Sequence, residues 1–351
     1  MTKQMISKTV TTGLLMAAGL LLAACGATEP AAGGIAATSG EGTGTHAMVF
    51  KIQGNPFGDR MFDGFRDAVE TAGGTAIFSS PAAQTVEGQI QIIETLIAQG
   101  VDSITLAAND YTALDPVLNV ARSQGINIIS VDSAVNATVR DVHINQADAH
   151  GIASVLINGI YEMLDGQGQF AILSETTTAV NQNLWIELML QYLEQPQFAN
   201  LEMVHIAYGN AQMDMSVSET QGLLSSFPEL RGIISPTTVG IAAAGLVITD
   251  MGLIGEVFVT GLGLPSEMAT YIENGTTPFM YLWNPIDLGY VAGQAALAVT
   301  SGVITGAVGE QFTAGTFGQL TVVEDGNGTQ IMMGNPYRFH PDNIDFWREV
   351  F

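Results

Sequence analysis

Lys51 is the only lysine beyond residue 8, and it directly follows the apolar run Ala47-Met48-Val49-Phe50. An ammonium at the end of a buried strand can donate several hydrogen bonds to the hydroxyl or carbonyl oxygens of a ligand. With a depressed pKa and a proton shuttle beside it, the same amine would be a Schiff-base nucleophile. Asp132 follows a second apolar run, Ile126-Asn127-Ile128-Ile129-Ser130-Val131. A carboxylate there can accept two hydroxyl hydrogen bonds, each charge-assisted and contributing about 1.5–3 kcal/mol. A loop or helix cap is the plainer use of the same residue. Phe57 and Trp283 could cover the apolar face of a sugar ring, or each could be core. Trp185, inside the helical run 183–193, reads as core.

Other chemistries lack their residues. His46, His143, His150, His205 and His340 are scattered, and no pair has the i, i+4 spacing of a helical metal site. There is no Gly-x-Ser-x-Gly elbow and no glycine-rich phosphate loop with a lysine. Gly261-Leu262-Gly263 lacks the third glycine of a dinucleotide fingerprint. Asp325-Gly326-Asn327-Gly328 reads as a turn, because it lacks the run of carboxylates a calcium loop needs. The chain is therefore read as a binding protein, not an enzyme, with no metal and no cofactor.

These residues need a scaffold, and the hydrophobic pattern predicts one. Strands are expected at residues 47–50, 75–78, 103–106 and 126–131, with helices across 60–72, about 90–97 and 113–123. The rhythm repeats with strands at 170–173, 203–206, 232–234 and 257–259 and helices around 183–194, 216–226 and 239–251. Repeated β-α units with apolar strands imply parallel sheets covered by helices on both faces. Two series split near residue 146 predict two lobes of similar architecture. Residues 320–323 and 330–333 predict a hairpin around the turn at 325–328. In open α/β sheets, ligands sit beyond the carboxyl ends of the strands. That rule selects Lys51, Asn55, Pro56 and Phe57, then Asn109 and Asp110, then Asp132 and Ser133. In the second series it selects residues 176–182, Pro236-Thr237-Thr238 and 261–265, and, after the later run 279–282, Trp283-Asn284-Pro285.

Composition sets the surroundings. Hydrophobic residues make up 47% of the chain and charged ones 13%, enough apolar material for two packed cores. The formal net charge of −24 argues against nucleic acid, whose phosphates need lysine and arginine clusters. It argues equally against docking on anionic headgroups. Cys25, the single cysteine, closes the apolar run 14–24, which is preceded by Lys3 and Lys8 and followed by small residues. That order describes a secretory signal, and the run is too short to cross a bilayer, which needs about 20 residues. Leu22-Ala23-Ala24-Cys25-Gly26 resembles a bacterial lipobox, whose cysteine is lipidated and becomes the first residue of the mature chain. Residues 1–24 are thus expected to be a lipoprotein signal peptide and 25–45 a flexible tether.

Lys51-Ile52-Gln53-Gly54-Asn55-Pro56-Phe57 resembles the first ligand loop of the bacterial sugar-binding proteins of ABC importers. So do residues 106–110 and 128–133. Residues 181–187, 236–244, 261–263, 282–285 and 342–345 are similar to the rhamnose-binding and autoinducer-2-binding branch, and the similarity runs from about residue 46 to the end. The resemblance implies the type I periplasmic binding protein fold: α/β, two Rossmann-like lobes with parallel sheets flanked by helices, joined by a three-strand hinge. It divides the chain into an N-terminal lobe of 46–146 plus 284–320 and a C-terminal lobe of 147–283 plus 321–351. Lys51, Asp132, Gln182, Pro236 and Thr238 fall where the autoinducer-2 branch contacts its ligand, the last two through backbone groups. Asn55, Phe57, Thr237 and Trp283 fall where ribose-type relatives place polar or stacking contacts. Asn181 departs from the autoinducer-2 pattern, which has an aspartate there, and is like the rhamnose-type proteins. The implied partners are a monosaccharide, rhamnose or a related sugar, or alternatively autoinducer-2 for uptake or signalling, and an ABC permease in the membrane. The implied state is an exported monomer held by lipid at Cys25, at the outer face of the cytoplasmic membrane or in the periplasm.

Overall fold

A computed structural model describes residues 44–326 and 328–351. The expected signal peptide, the lipobox with Cys25 and nearly all of the tether lie outside the described residues. The first strand, β1 (Thr45–Val49), already includes Thr45, the last residue assigned to the tether.

The chain then alternates as its hydrophobic pattern requires: α1 (Pro56–Thr71), β2 (Thr75–Ser79), α2 (Val86–Gln99), β3 (Ser103–Leu106), α3 (Asp115–Ser123), β4 (Asn127–Val131) and β5 (Val142–Asn145). A second series follows: α4 (Ala149–Met163), β6 (Gly168–Ser174), α5 (Val180–Leu193), β7 (Leu201–Tyr208), α6 (Met213–Ser226), β8 (Leu230–Ser235), α7 (Thr238–Asp250), β9 (Phe258–Gly261), α8 (Pro265–Glu273) and β10 (Met280–Leu282). The chain ends with α9 (Pro285–Thr300), β11 (Gln311–Thr313), β12 (Gln319–Thr321), β13 (Val323–Asp325), β14 (Gly328–Met332), β15 (Tyr337–Phe339) and α10 (Ile344–Trp347).

Two sheets result. The first runs β13-β14-β5-β4-β3-β1-β2, parallel except for the β13–β14 hairpin, and the second runs β7-β6-β8-β9, all parallel. Every residue of β3 is buried, as expected of a strand covered by helices on both faces. In the first lobe α1 packs so closely on α9 that a Cβ on Gly64 would collide with the Ile286 carbonyl oxygen, and one on Gly289 with that of Met61. Only glycine permits this approach. It sets Trp283, just before α9, beside Phe57 on the first turn of α1.

The end of the chain departs from expectation. The segment 321–351, expected in the second lobe, is shared. β14 pairs in parallel with β5, matching Gln330 to His143 and Met332 to Asn145. β15 instead pairs antiparallel with β10, beside the second sheet. An unpaired β5 would leave a row of open backbone groups, which the hairpin covers. Leu320 and Thr321 belong to β12, paired with β11, so the hairpin's first arm is only Val323–Asp325. The chain passes between the sheets three times, after β5, after β10 and after β14.

Candidate functional site

The carboxyl ends of both sheets face one cleft with an empty volume of about 370 Å³. Lys51, Asn55, Phe57, Asp132, Asn181, Gln182, Pro236, Thr237, Thr238 and Trp283, all ten residues expected at the site, line it. They arrive at the ends of several different elements. Lys51 follows β1, Asp132 follows β4, Asn181 and Gln182 open α5, and residues 236–238 join β8 to α7. Asp132 holds φ at 59°, a left-handed conformation that aspartate tolerates better than most residues. Sparsely populated backbone of this kind collects at ligand sites.

One end of the cleft is polar and bridges the lobes. Lys51 Nζ lies 2.9 Å from Asp132 Oδ2 on its own lobe, and 3.7 Å from Glu175 Oε2 on the other. It also donates to Asn181 Oδ1 at 3.4 Å. Burial by itself would lower the Lys51 pKa, but Asp132 and then Glu175 outweigh it and hold the ammonium above its ordinary value. An amine held protonated between two carboxylates is a poor Schiff-base nucleophile, and the ion pair suits Lys51 to binding instead.

A layer of amides fixes this end. Gln182 Nε2 donates to Glu175 Oε2 at 3.0 Å, while Gln182 Oε1 accepts from Ser174 Oγ and from the Glu175 backbone N–H. Both ends of that amide are thus spent on orienting Glu175. Behind Lys51, Asn109 Nδ2 donates to the Lys51 carbonyl at 3.0 Å. The fully buried Gln89 donates to the Phe50 and Ala107 carbonyls and accepts from the Asn109 N–H.

The other end is aromatic. Trp283 meets Phe57 edge to face at 6.2 Å and 87°, and Trp185 at 6.0 Å and 68°. Trp283 Nε1 is buried with no partner among the described residues, leaving one N–H donor in an otherwise apolar wall. Above it, Thr237 caps α7 without a side-chain bond to the helix, and the backbone N–H groups of the first turn have no intrahelical acceptors.

Sequence reasoning missed or misread several residues. Trp185 is core as expected, only 4% exposed, and it also forms part of the cleft wall. Glu175 was not named at all, although it is the first residue after β6. Asn55 lines the cleft, but its Oδ1 is committed to capping α1 through the N–H groups of Phe57 and Gly58. Asp110 caps its own loop at Thr112 and Ala113. Asn109 stands behind Lys51 and is absent from the cleft lining.

The periplasmic binding protein domain matches residues 46–303 of this chain. An ABC-transporter solute-binding protein from Clostridium phytofermentans, solved with bound L-rhamnose, is 40% identical, with a TM-score of 0.86 over 88% of this chain and 99% of that one. The D-ribose/D-allose-binding protein of Pseudomonas aeruginosa is 23% identical over 65% of this chain and 73% of its own length. LsrB from Clostridium saccharobutylicum in complex with AI-2 shares the fold, with a TM-score of 0.81 at 20% identity over 86% of this chain and 99% of that one.

Proposed function

The chain belongs to the periplasmic binding protein family, and from that premise we propose that it captures a neutral monosaccharide, L-rhamnose or a related deoxysugar, and delivers it to an ABC permease. Its part is binding and transport, not catalysis. The observation that carries the choice of sugar is the 40% identity to a solute-binding protein solved with L-rhamnose. The chemistry of the cleft fits the choice. Asp132 and Glu175 can accept hydroxyl hydrogens, and the Lys51 ammonium donates to ring or hydroxyl oxygens. Phe57, Trp185 and Trp283 offer an apolar surface for C–H faces and for the methyl group of a deoxysugar.

The ligand's contacts come from both lobes, so the sugar is the bridge that holds them closed, and the permease reads the closed form. The protein works as a monomer outside the cytoplasm, held to the membrane by lipid on Cys25. Autoinducer-2 is the second reading. It is disfavoured by Asn181, an amide where the autoinducer-2 pattern has an aspartate, and the AI-2 complex above is similar in fold alone.

A thermal-shift screen of L-rhamnose, other deoxysugars, D-ribose and autoinducer-2 tests this, run on the wild type and on Asn181→Asp. A ligand that binds only the folded state at a hundredfold excess over its Kd stabilises by about 2.7 kcal/mol. L-rhamnose or another deoxysugar is expected to give the largest shift, and Asn181→Asp to reduce it. A larger wild-type shift with autoinducer-2 or D-ribose would overturn the choice.

A further inference from the structure

Gln182 and Glu175 divide the work of the second lobe unequally. The Glu175 backbone N–H can only donate, so the oxygen of the Gln182 amide must face it, at 3.1 Å, and the Ser174 hydroxyl donates to the same oxygen at 3.2 Å. That turns the amide nitrogen toward Glu175 Oε2, 3.0 Å away. The backbone is pinned as well, because the Gly209 and Asn210 N–H groups donate to the carbonyls of Ser174 and Glu175 at 2.9 and 2.8 Å. Ser174, Glu175 and Gln182 are all buried, so these bonds are shielded from water.

The two oxygens of Glu175 are consequently not equivalent. Oε2 accepts from Gln182 and faces the Lys51 ammonium of the other lobe at 3.7 Å. Oε1 has no partner among the described residues, and it is not one of the buried polar atoms sealed away without one. It therefore keeps accessible surface, on a residue that lines the cleft. A carboxylate oxygen only accepts, so a ligand hydroxyl can donate to Oε1, whereas a carbonyl or ether oxygen cannot. Lys51, Asp132 and Glu175 are the charged residues of the cleft wall, one cation against two carboxylates, and an acidic sugar would be repelled there.

We infer that Glu175 Oε1 is the specificity-determining acceptor of the second lobe, reading one hydroxyl of a neutral sugar, and that Gln182 is a positioning residue that acts through Glu175 instead of touching the ligand. This rests on the sugar reading above. It departs from the ligand contact that the autoinducer-2 resemblance implies for Gln182.

Isothermal titration of the full chain with L-rhamnose and with analogues that each lack one of its hydroxyls tests this on Glu175→Gln, Gln182→Met and the double variant. A charge-assisted bond is roughly twice as strong as a neutral one, so Glu175→Gln should weaken rhamnose about tenfold. Lys51 keeps its closer partner, Asp132 at 2.9 Å, in that variant. One analogue should bind the wild type about tenfold more weakly than rhamnose, and Glu175→Gln only about threefold more weakly, which identifies the hydroxyl that is read. Gln182→Met should lose discrimination against that same analogue. The double variant should bind rhamnose within about twofold of Glu175→Gln alone, because both changes converge on one carboxylate. Gln182→Asn, whose shorter amide withdraws from Oε2, should repeat the Gln182→Met result with polarity kept. If the two effects add, if Gln182→Met weakens all the analogues alike, or if it loses discrimination at a different hydroxyl, Gln182 does not act through Glu175 and the inference falls while the sugar reading stands. Unchanged ratios in Glu175→Gln overturn it in the same way. If the wild type does not bind rhamnose or any of the analogues, both readings fall together.

Discussion

At one end of the cleft an ammonium stands between two carboxylates, and at the other three aromatic rings meet edge to face. Both ends are assembled from the two lobes, yet they hold together by different physics. The polar end depends on every partner being present: a buried charge that loses its partner is left uncompensated, at a cost of several kcal/mol. The aromatic end depends on area and shape, so losses there grow with the surface removed and ignore pH. This division assigns selectivity among hydroxyl patterns to the polar end, and general affinity for a ring with an apolar face to the aromatic end.

The sharpest way to break the comparison is Asp132→Asn. Asparagine keeps the volume and tolerates the left-handed backbone at this position, so the change removes charge and little else. Charge-assisted bonds are roughly twice as strong as neutral ones, so two weakened hydroxyl bonds should cost about 2–3 kcal/mol, roughly a hundredfold in Kd by titration calorimetry. Trp283→Phe should cost less, about fivefold to tenfold, because a smaller ring still covers part of the sugar. It should also weaken every bound sugar to a similar degree, whereas Asp132→Asn should reorder them. If Trp283→Phe reorders the sugars and Asp132→Asn does not, the two ends have been assigned the wrong way round.

The same division explains what could be read from the sequence. Parallel strands are continuous apolar runs that stop abruptly, so their carboxyl ends are visible, and Lys51, Asp132 and Pro236 stand within two residues of such an end. Glu175 falls outside the candidates after β6, which begin at Thr176, one residue beyond it. The signal was present, since Glu175 is the first charged residue after the apolar run 170–173. The helical neighbours of Trp185 point to core, but it lies four residues after Asn181, and positions i and i+4 share a helix face. A residue so placed belongs to the same wall as the candidate already chosen. The pairing of β14 with β5 was out of reach, because Gln330 and Asn145, which bond across it at 2.8 Å, are 185 residues apart. Nothing local in either strand names its partner.

The smallest expected effect separates the two ends without any ligand. Lys51 has a folded-state pKa above its ordinary 10.5, since Asp132 and Glu175 more than offset the burial that would lower it. The stability it contributes is therefore fully present below about 10.5 and is lost as pH rises through the folded value. Urea unfolding followed from pH 8 to pH 12 should show an alkaline decline in the wild type that is shallower in Lys51→Met. The variant can start from a lower stability, because two carboxylates then share a site with no cation, so the slope is the informative quantity. Trp283→Phe should keep the wild-type slope, since no titrating group at the polar end has changed. Equal slopes for wild type and Lys51→Met would mean that the ammonium adds nothing to the closed form, and that the aromatic rings alone hold the lobes together.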